Sequence, residues 1–373
     1  MNRSGQSRRA EAQLRAMGHQ VSRRSLLRFA GLGAAVLGSS TVLSACGAAS
    51  GAQNAASAVK FTVASVPGDS FILDAINVAN SDYAKHQLNV PKHINPSSGV
   101  QGFQLLVSNA IDGMGADTLN LMATHVNGQE GQRPVMVGLR VMETTYGIVG
   151  SAKGAWPSDQ AGFKEKMQSL KGKRVGVTAI GAGGDLQLKL ALEEAGMKYL
   201  DVTVLAVGLA VQAIPNLKAD RIDAYVGVQW TSTRYVAQES GGRVLVDFSA
   251  KDTPAIVRDQ AVVAIAVRED MAKNHPEVVQ RWLAAQQDAH QFMLDEPAKA
   301  AKILNDTGRG GKGLAIAEAY MQHYADQVAP SLQPNFKVPQ DMVERMAQVG
   351  QRFGSIKQGS INYETLVPDF ARA

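Results

Sequence analysis

The sequence predicts an α/β protein of two similar lobes, each a mostly parallel sheet flanked by helices, with the first lobe discontinuous. Three observations predict this. From Lys60 onward, short apolar runs are each followed by a Gly/Ser turn and then a helical stretch, the alternation that builds parallel sheets between helices. A weak internal repeat sets Leu217-Lys218-Ala219-Asp220-Arg221-Ile222-Asp223 in register with Leu106-Val107-Ser108-Asn109-Ala110-Ile111-Asp112, 111 residues apart. After the apolar run Ala261–Val267 the chain reads as helices alone.

The N-terminus is set aside before the fold is read. Residues 1–28 hold seven arginines and one acid, Glu11, and end in Ser22-Arg23-Arg24-Ser25-Leu26-Leu27-Arg28. This segment resembles a twin-arginine export signal. The stretch from Phe29 to Leu43 is too short and too rich in small residues for a spanning helix, which needs roughly 20 apolar residues. It runs into Leu43-Ser44-Ala45-Cys46, which resembles a lipobox, and Cys46 is the chain's only cysteine. The resemblance implies cleavage before Cys46 and a diacylglycerol thioether on it, so residues 1–45 are read as a lipoprotein signal peptide. Each buried methylene of such an anchor contributes only ~0.8 kcal/mol, which tethers a protein without spanning the membrane. Residues 46–58 read as a flexible tether.

Removing the leader changes the charge balance. The whole chain carries 38 Lys+Arg against 33 Asp+Glu; from Cys46 onward the balance is 31 against 32. The basic excess belongs to the leader, and the electrostatic case for nucleic-acid binding goes with it. Without a second cysteine, no disulfide, Cys nucleophile or zinc-thiolate site is available downstream. A core must hold the body together, and 328 residues are ample for one.

Along the body, Lys60–Asp69 reads as a strand and turn entering a helix near Ser70, and Lys173–Gly181 as the same unit entering a helix near Asp185. The apolar run 135–149, ending in Gly150-Ser151-Ala152-Lys153-Gly154, is where the chain leaves the first lobe, and 261–267 carries it back. Lobe 1 is then 59–149 with 266–373, and lobe 2 is 150–265. Helices are expected over Pro276–Leu294, Pro297–Asn305, Ala315–Val328 and Pro339–Phe353, three of them with proline in the first turn.

Leu170-Lys171-Gly172-Lys173-Arg174-Val175-Gly176-Val177 and Asn216–Ala224 resemble conserved segments of ABC-importer solute-binding proteins of the nitrate, sulfonate, taurine and thiamine-precursor branch. The resemblance covers most of residues 60–365 and implies a periplasmic-binding-protein-like (type 2) fold. Asp220 stands where that family usually has glycine; aspartate tolerates the left-handed turn at modest cost. The resemblance implies ligand in the cleft between lobes, at the C-terminal ends of strands, as in open α/β sheets generally.

Several segments then converge on that cleft. Ser65 ends the first strand. Gly181, Gly183, Gly184 and Asp185 lie between a strand and a helix, where backbone N–H groups and the helix N-terminus favour an anion, or where Asp185 only caps the helix. Ser97, Ser98 and Gly99 precede a helix and either cap it or meet ligand. Asp117 and Thr118 follow one strand; Gln229 and Trp230 hold the matching place in the other lobe, with Trp230 either a stacking platform or core. Thr145 lies near the crossover. Asp112 and Asp223 are read as serving the helix–strand turn, and Arg140, Arg234 and Arg258 as unplaced cations. Gly308–Gly313 is read as a helix–helix loop, and the histidines show no metal spacing.

The function expected is a lipid-anchored receptor at the periplasm or outer face of the cell membrane, monomeric, without cofactor or metal. It would close on a small, anionic organic solute and deliver it to ABC permease subunits. A sensor presenting solute to a membrane partner, or an enzyme on the same fold, are the alternatives. Against an enzyme, no His/Cys constellation or carboxylate pair falls in the expected cleft.

Overall fold

The computed structural model describes residues 58–352 and 355–373. The export signal, Cys46, nearly all of the tether and the expected helix end at Phe353 lie outside the described residues.

Among the described residues, eleven strands form two principal sheets and one two-stranded pair. β1 (Val59–Lys60) pairs with β3 (Leu88–Asn89). The four-stranded sheet has β2 (Val63–Ala64), β4 (Gly113–Asp117), β11 (Val263–Arg268) and β5 (Pro134–Val141) in that order. The five-stranded sheet runs β10 (Arg243–Asp247), β6 (Gly147–Gly150), β9 (Ala224–Gly227), β7 (Arg174–Val177), β8 (Thr203–Ala206). β6 lies wholly in the second sheet, so the chain crosses between sheets over residues 142–146, ahead of the expected boundary at 149/150.

Each principal sheet is mostly parallel, with one strand reversed. β2/β4, β7/β8 and β7/β9 are parallel, but β11 is antiparallel to both β4 and β5, and β6 to both β9 and β10. The physical reason is the crossing itself. β6 and β11 are the strands that receive the chain from the other half, and each enters its sheet from the end opposite to the strands beside it. The two crossing segments are tied together: Thr144 N–H donates to Arg258 C=O (3.1 Å) and Phe248 N–H to Tyr146 C=O (3.2 Å).

The internal repeat is a repeat of hydrogen bonds. In the first copy Thr62 N–H donates to the Asp112 carboxylate (2.6 Å); in the second Arg174 N–H donates to Asp223 (2.8 Å). The helix ending at Val107 is followed by Asn109 at φ +61°, and the one ending at Lys218 by Asp220 at φ +51°. Each left-handed residue donates back to the leucine three before it, Asn109 to Leu106 (3.1 Å) and Asp220 to Leu217 (3.2 Å), which satisfies a helix-end carbonyl. Both aspartates therefore serve the helix–strand turn, and Asp220 takes the conformation that glycine would.

The C-terminal helices cover the four-stranded half and reach across. Pro276–Asp295 packs on Ile72–Asn80, with Trp282 fully buried 5.1 Å from Phe61. Pro297–Arg309 and Leu314–His323 follow, the latter ending in a wider turn over Tyr324–Val328. Gln340–Arg352 packs on Thr118–Asn127, and its last residue pairs with Glu193 (3.1 Å) and Glu194 (2.6 Å) of the five-stranded half. Among the described residues no helix is long and apolar enough to cross a membrane.

Candidate functional site

The C-terminal ends of β2 and β4 face the helix starts of the five-stranded half across a cavity of about 770 Å³, its solvent-open part included. Helix starts from both halves meet there, among them those of Gly99–Val107, Thr118–Asn127, Gly183–Glu194 and Trp230–Ser240. Most of the wall is apolar, from Val66, Phe71, Met114, Leu209, Val228, Val262 and Val263.

Of the residues the sequence singles out, Ser65, Ser98, Gly99, Asp117, Thr145, Gly183, Gly184 and Gln229 stand on this wall. Ser98 caps its helix, accepting from Gln101 N–H (3.2 Å), and Thr145 donates to Val228 C=O (3.1 Å). Five others stand off the wall. Ser97 is exposed, its N–H held by the Gln101 side chain (2.5 Å). Thr118 is buried, with a hydroxyl that has no partner. Asp185 is fully buried and accepts from Gly181 N–H (2.8 Å) and the Tyr199 hydroxyl (2.6 Å), with Lys189 Nζ at 3.2 Å. It therefore fixes the turn from the third helical position; Ala182 is the N-cap. Gly181 supplies the positive φ of that turn, +78°. Trp230 stacks on His323 (5.1 Å, 17°), with the Arg234 guanidinium 3.4 Å from its ring centre.

The lining has one charged side chain, Asp117, and no basic one. Asp117 Oδ1 caps its own helix at Asn120 N–H (2.9 Å), and Oδ2 accepts from the Tyr146 hydroxyl (2.8 Å). Burial pushes the Asp117 carboxyl above its usual range, opposed by those hydrogen bonds, and burial likewise pushes the Tyr146 hydroxyl up. A Cβ placed on Gly183 would lie 2.3 Å from Asp117 Oδ2, so this carboxylate already sits against the helix start where an anion was expected. The three unplaced arginines are engaged elsewhere: Arg140 with Asp74 (2.7 Å) and Gln286 (2.8 Å), Arg234 with Asp247 (2.7 Å), Arg258 with Asp259 (2.8 Å).

Sequence reasoning missed Ser70, Phe71, Asn120 and the contact of Tyr146. The Asn120 carboxamide spans the halves, donating to Gly181 C=O (3.0 Å) and accepting from Gly183 N–H (3.0 Å). Its signal was its place one turn beyond Asp117, on the face that meets the cleft. Ser70 and Gln229 carry the sharpest feature. Both are buried on the wall, and neither Ser70 Oγ nor Gln229 Oε1 has a hydrogen-bond partner. Buried polar atoms are normally satisfied, and both residues line the cavity, although Gln229 Oε1 itself packs against the Gly68 α-carbon.

Comparison with known proteins bears on the fold. Residues 129–300 match the NMT1/THI5 like family. This NMT1/THI5 like segment takes in the whole five-stranded sheet and the return strand β11. A Brucella abortus protein named as a binding protein is 31% identical over 144 residues, covering 39% of this chain and 43% of that protein. A Saccharomyces cerevisiae protein named 4-amino-5-hydroxymethyl-2-methylpyrimidine phosphate synthase is 28% identical over 155 residues, 38% of this chain and 42% of its own length. The chain thus matches under half the length of these curated relatives. Among solved structures, the alkanesulfonate-binding protein SsuA of Xanthomonas axonopodis pv. citri, bound to MOPS, superimposes with TM-score 0.63 at 15% identity, over 83% of this chain and 98% of that one. The nitrate-binding protein NrtA of Synechocystis PCC 6803 gives 0.60 at 15% identity, over 81% and 83%. At such identities the likeness shows the fold, which is that of the periplasmic binding proteins.

Proposed function

We propose that this chain is an extracytoplasmic solute receptor of an ABC importer, exported by the twin-arginine route and anchored through Cys46. The cavity takes one small organic solute, and the two halves close on it about the segments 142–146 and 248–262. The observation that carries this reading is the pair of unpartnered buried groups, Ser70 from the four-stranded half and Gln229 from the five-stranded half. A solute that hydrogen-bonds Ser70 and the Gln229 carboxamide bridges the halves, and such bridging contacts bind the closed form more tightly than the open one.

The lining also sets the solute's character. Asp117 and the absence of a basic side chain on the wall favour an uncharged or cationic solute with an apolar body over the sulfonate or nitrate named for the structural neighbours. An anion beside Asp117 would set like charges against each other across the cavity, which disfavours both. The names of the yeast relatives favour a second reading, an enzyme of pyrimidine chemistry.

The test is a thermal-shift and calorimetric panel of neutral, cationic and anionic solutes, pyrimidines included, on the full chain. A solute at 100 times its Kd adds about 2.7 kcal/mol of stability. Saturable one-to-one binding of a neutral or cationic solute, recovered unchanged and weakened tenfold or more by Ser70→Ala and Gln229→Leu, supports the receptor. Turnover of a panel member would establish the enzyme instead. Tight binding of an anion, indifferent to Asp117→Asn, would overturn the assignment of solute charge. Co-purification with permease subunits, rather than with a signalling partner, separates importer from sensor.

A further inference from the structure

Helix Trp230–Ser240 is capped by a residue of the other half. Its own N-cap, Gln229, makes no side-chain bond to the helix. Instead Asp69, from the turn that precedes helix Ile72–Asn80 in the four-stranded half, receives the helix's first donors. Asp69 Oδ2 accepts from Trp230 N–H (3.0 Å), and Oδ1 accepts from Thr231 N–H (3.1 Å) and from the Thr231 hydroxyl. The carboxylate is 1% exposed. A second contact lies beside it. The Trp230 ring stacks on His323, which ends a helix of the C-terminal cover, and His323 Nε2 meets Glu143 of the crossing segment (2.7 Å).

We propose that Asp69 is a positioning residue that latches the halves together without solute and holds Gln229 against the cavity. This rests on the reading of the cavity as the solute site, but the latch itself needs no ligand. When the halves part, Asp69 loses three donors and the helix loses its cap; when they meet, all are regained. The bonds run to a carboxyl group at a helix N-terminus, where the first backbone donors and the helix dipole converge on one acceptor. Gln229 precedes the first capped residue, so the grip that closes the halves also fixes Gln229 on the cavity wall. The resting chain therefore populates the closed form. A solute's apparent affinity is reduced only by the fraction of molecules that are open or misaligned, and the latch keeps that fraction small.

The experiment is a spin-label distance measurement on the ligand-free full chain. Cys46→Ser removes the single native thiol, and Gln104→Cys with Lys218→Cys places one label on an exposed helix position of each half. The expected result is one short-distance population in the parent. Asp69→Ala should shift the closed-to-open ratio tenfold or more towards longer distances, with far-UV circular dichroism unchanged. Thr231→Val, which keeps the side chain's shape and removes only its hydroxyl donor, should give an intermediate shift; it carries the test alone if Asp69→Ala does not fold. A parent that is already open without ligand would overturn the latch. So would a distance distribution that neither substitution moves. No solute is used, so failure of the receptor reading leaves this result standing, and failure of the latch leaves the panel result standing.

Discussion

Replacing Gly183 by alanine is expected to hold the two halves apart without unfolding either. Gly183 is the first residue of its helix and has no left-handed backbone, so the conformation itself accepts a side chain. What excludes one is Asp117 of the other half together with Tyr146 of the crossing segment: a Cβ would lie 2.2 Å from the Tyr146 hydroxyl and 2.3 Å from Asp117 Oδ2. That is about 1 Å inside ordinary contact, and the two groups are hydrogen-bonded to each other, with Tyr146 buried and Asp117 half-buried, so they do not swing clear freely. Overpacking of this kind costs about 1–3 kcal/mol. Because opening the cleft relieves it, the cost falls on closure and is read as a loss of about 5- to 150-fold in affinity. The assay is titration calorimetry with the solute that the panel identifies, beside calorimetric unfolding without it. Gly99→Ala, where a Cβ would meet nothing within 4 Å, is the control. Affinity of Gly183→Ala within twofold of the parent would refute the claim that this close approach is part of closure.

Three further outcomes are expected. Ser70→Ala, measured without solute, leaves stability unchanged or slightly raised, because it removes a buried hydroxyl that has no partner; a loss above about 1 kcal/mol by denaturant unfolding would mean that the hydroxyl is satisfied within the protein. Arg140→Met strands Asp74, which is fully buried and paired with Arg140 at 2.7 Å, and lowers stability by about 3–5 kcal/mol by the same assay. For Asp223, the hydrogen bond from Arg174 holds the carboxyl below its ordinary value. Its contribution is present above the unfolded-state value of about 3.9 and is lost as pH falls through the lower folded value. Asp223→Asn should therefore lose it at neutral pH and show a shallower fall in melting temperature below pH 4. The group is partly exposed, so the electrostatic part is below about 1 kcal/mol.

Local chemistry was legible in the sequence to the residue. The Leu…Asp spacing shared by 106–112 and 217–223 foretold two turns built alike, and Asp220 in glycine's place foretold a left-handed backbone. The glycines at 183 and 184 were placed on the cavity wall from their position between a strand and a helix. Orientation was not legible. Gln229 and Trp230 are neighbours, yet one lines the cavity and the other is stacked between His323 and Arg234; Ser98 and Ser97 divide in the same way. At a helix start one residue turns the side chain by about 100°, and only the position of the opposite half decides which direction counts. The contacts made by Asp69, Asn120 and Tyr146 depend on where distant segments meet, and no local pattern announces them. The one reversed strand in each sheet was not legible for a related reason: periodicity gives a strand's faces, not the end from which the chain enters.

The place of β11 bears on how the chain folds. It lies between β4 and β5, so the four-stranded sheet lacks its second-to-last strand until residues 263–268 have been made, although that sheet begins at Val63. The five-stranded sheet, inserted between β5 and β11, has all its strands by Asp247. During synthesis the half that starts later can therefore assemble first, while the earlier strands wait with open edges for a partner more than a hundred residues downstream. Long-range pairing of that kind is slow to form and exposed to misassociation. A truncation before Val263 should accordingly leave a folded five-stranded half attached to an aggregation-prone remainder.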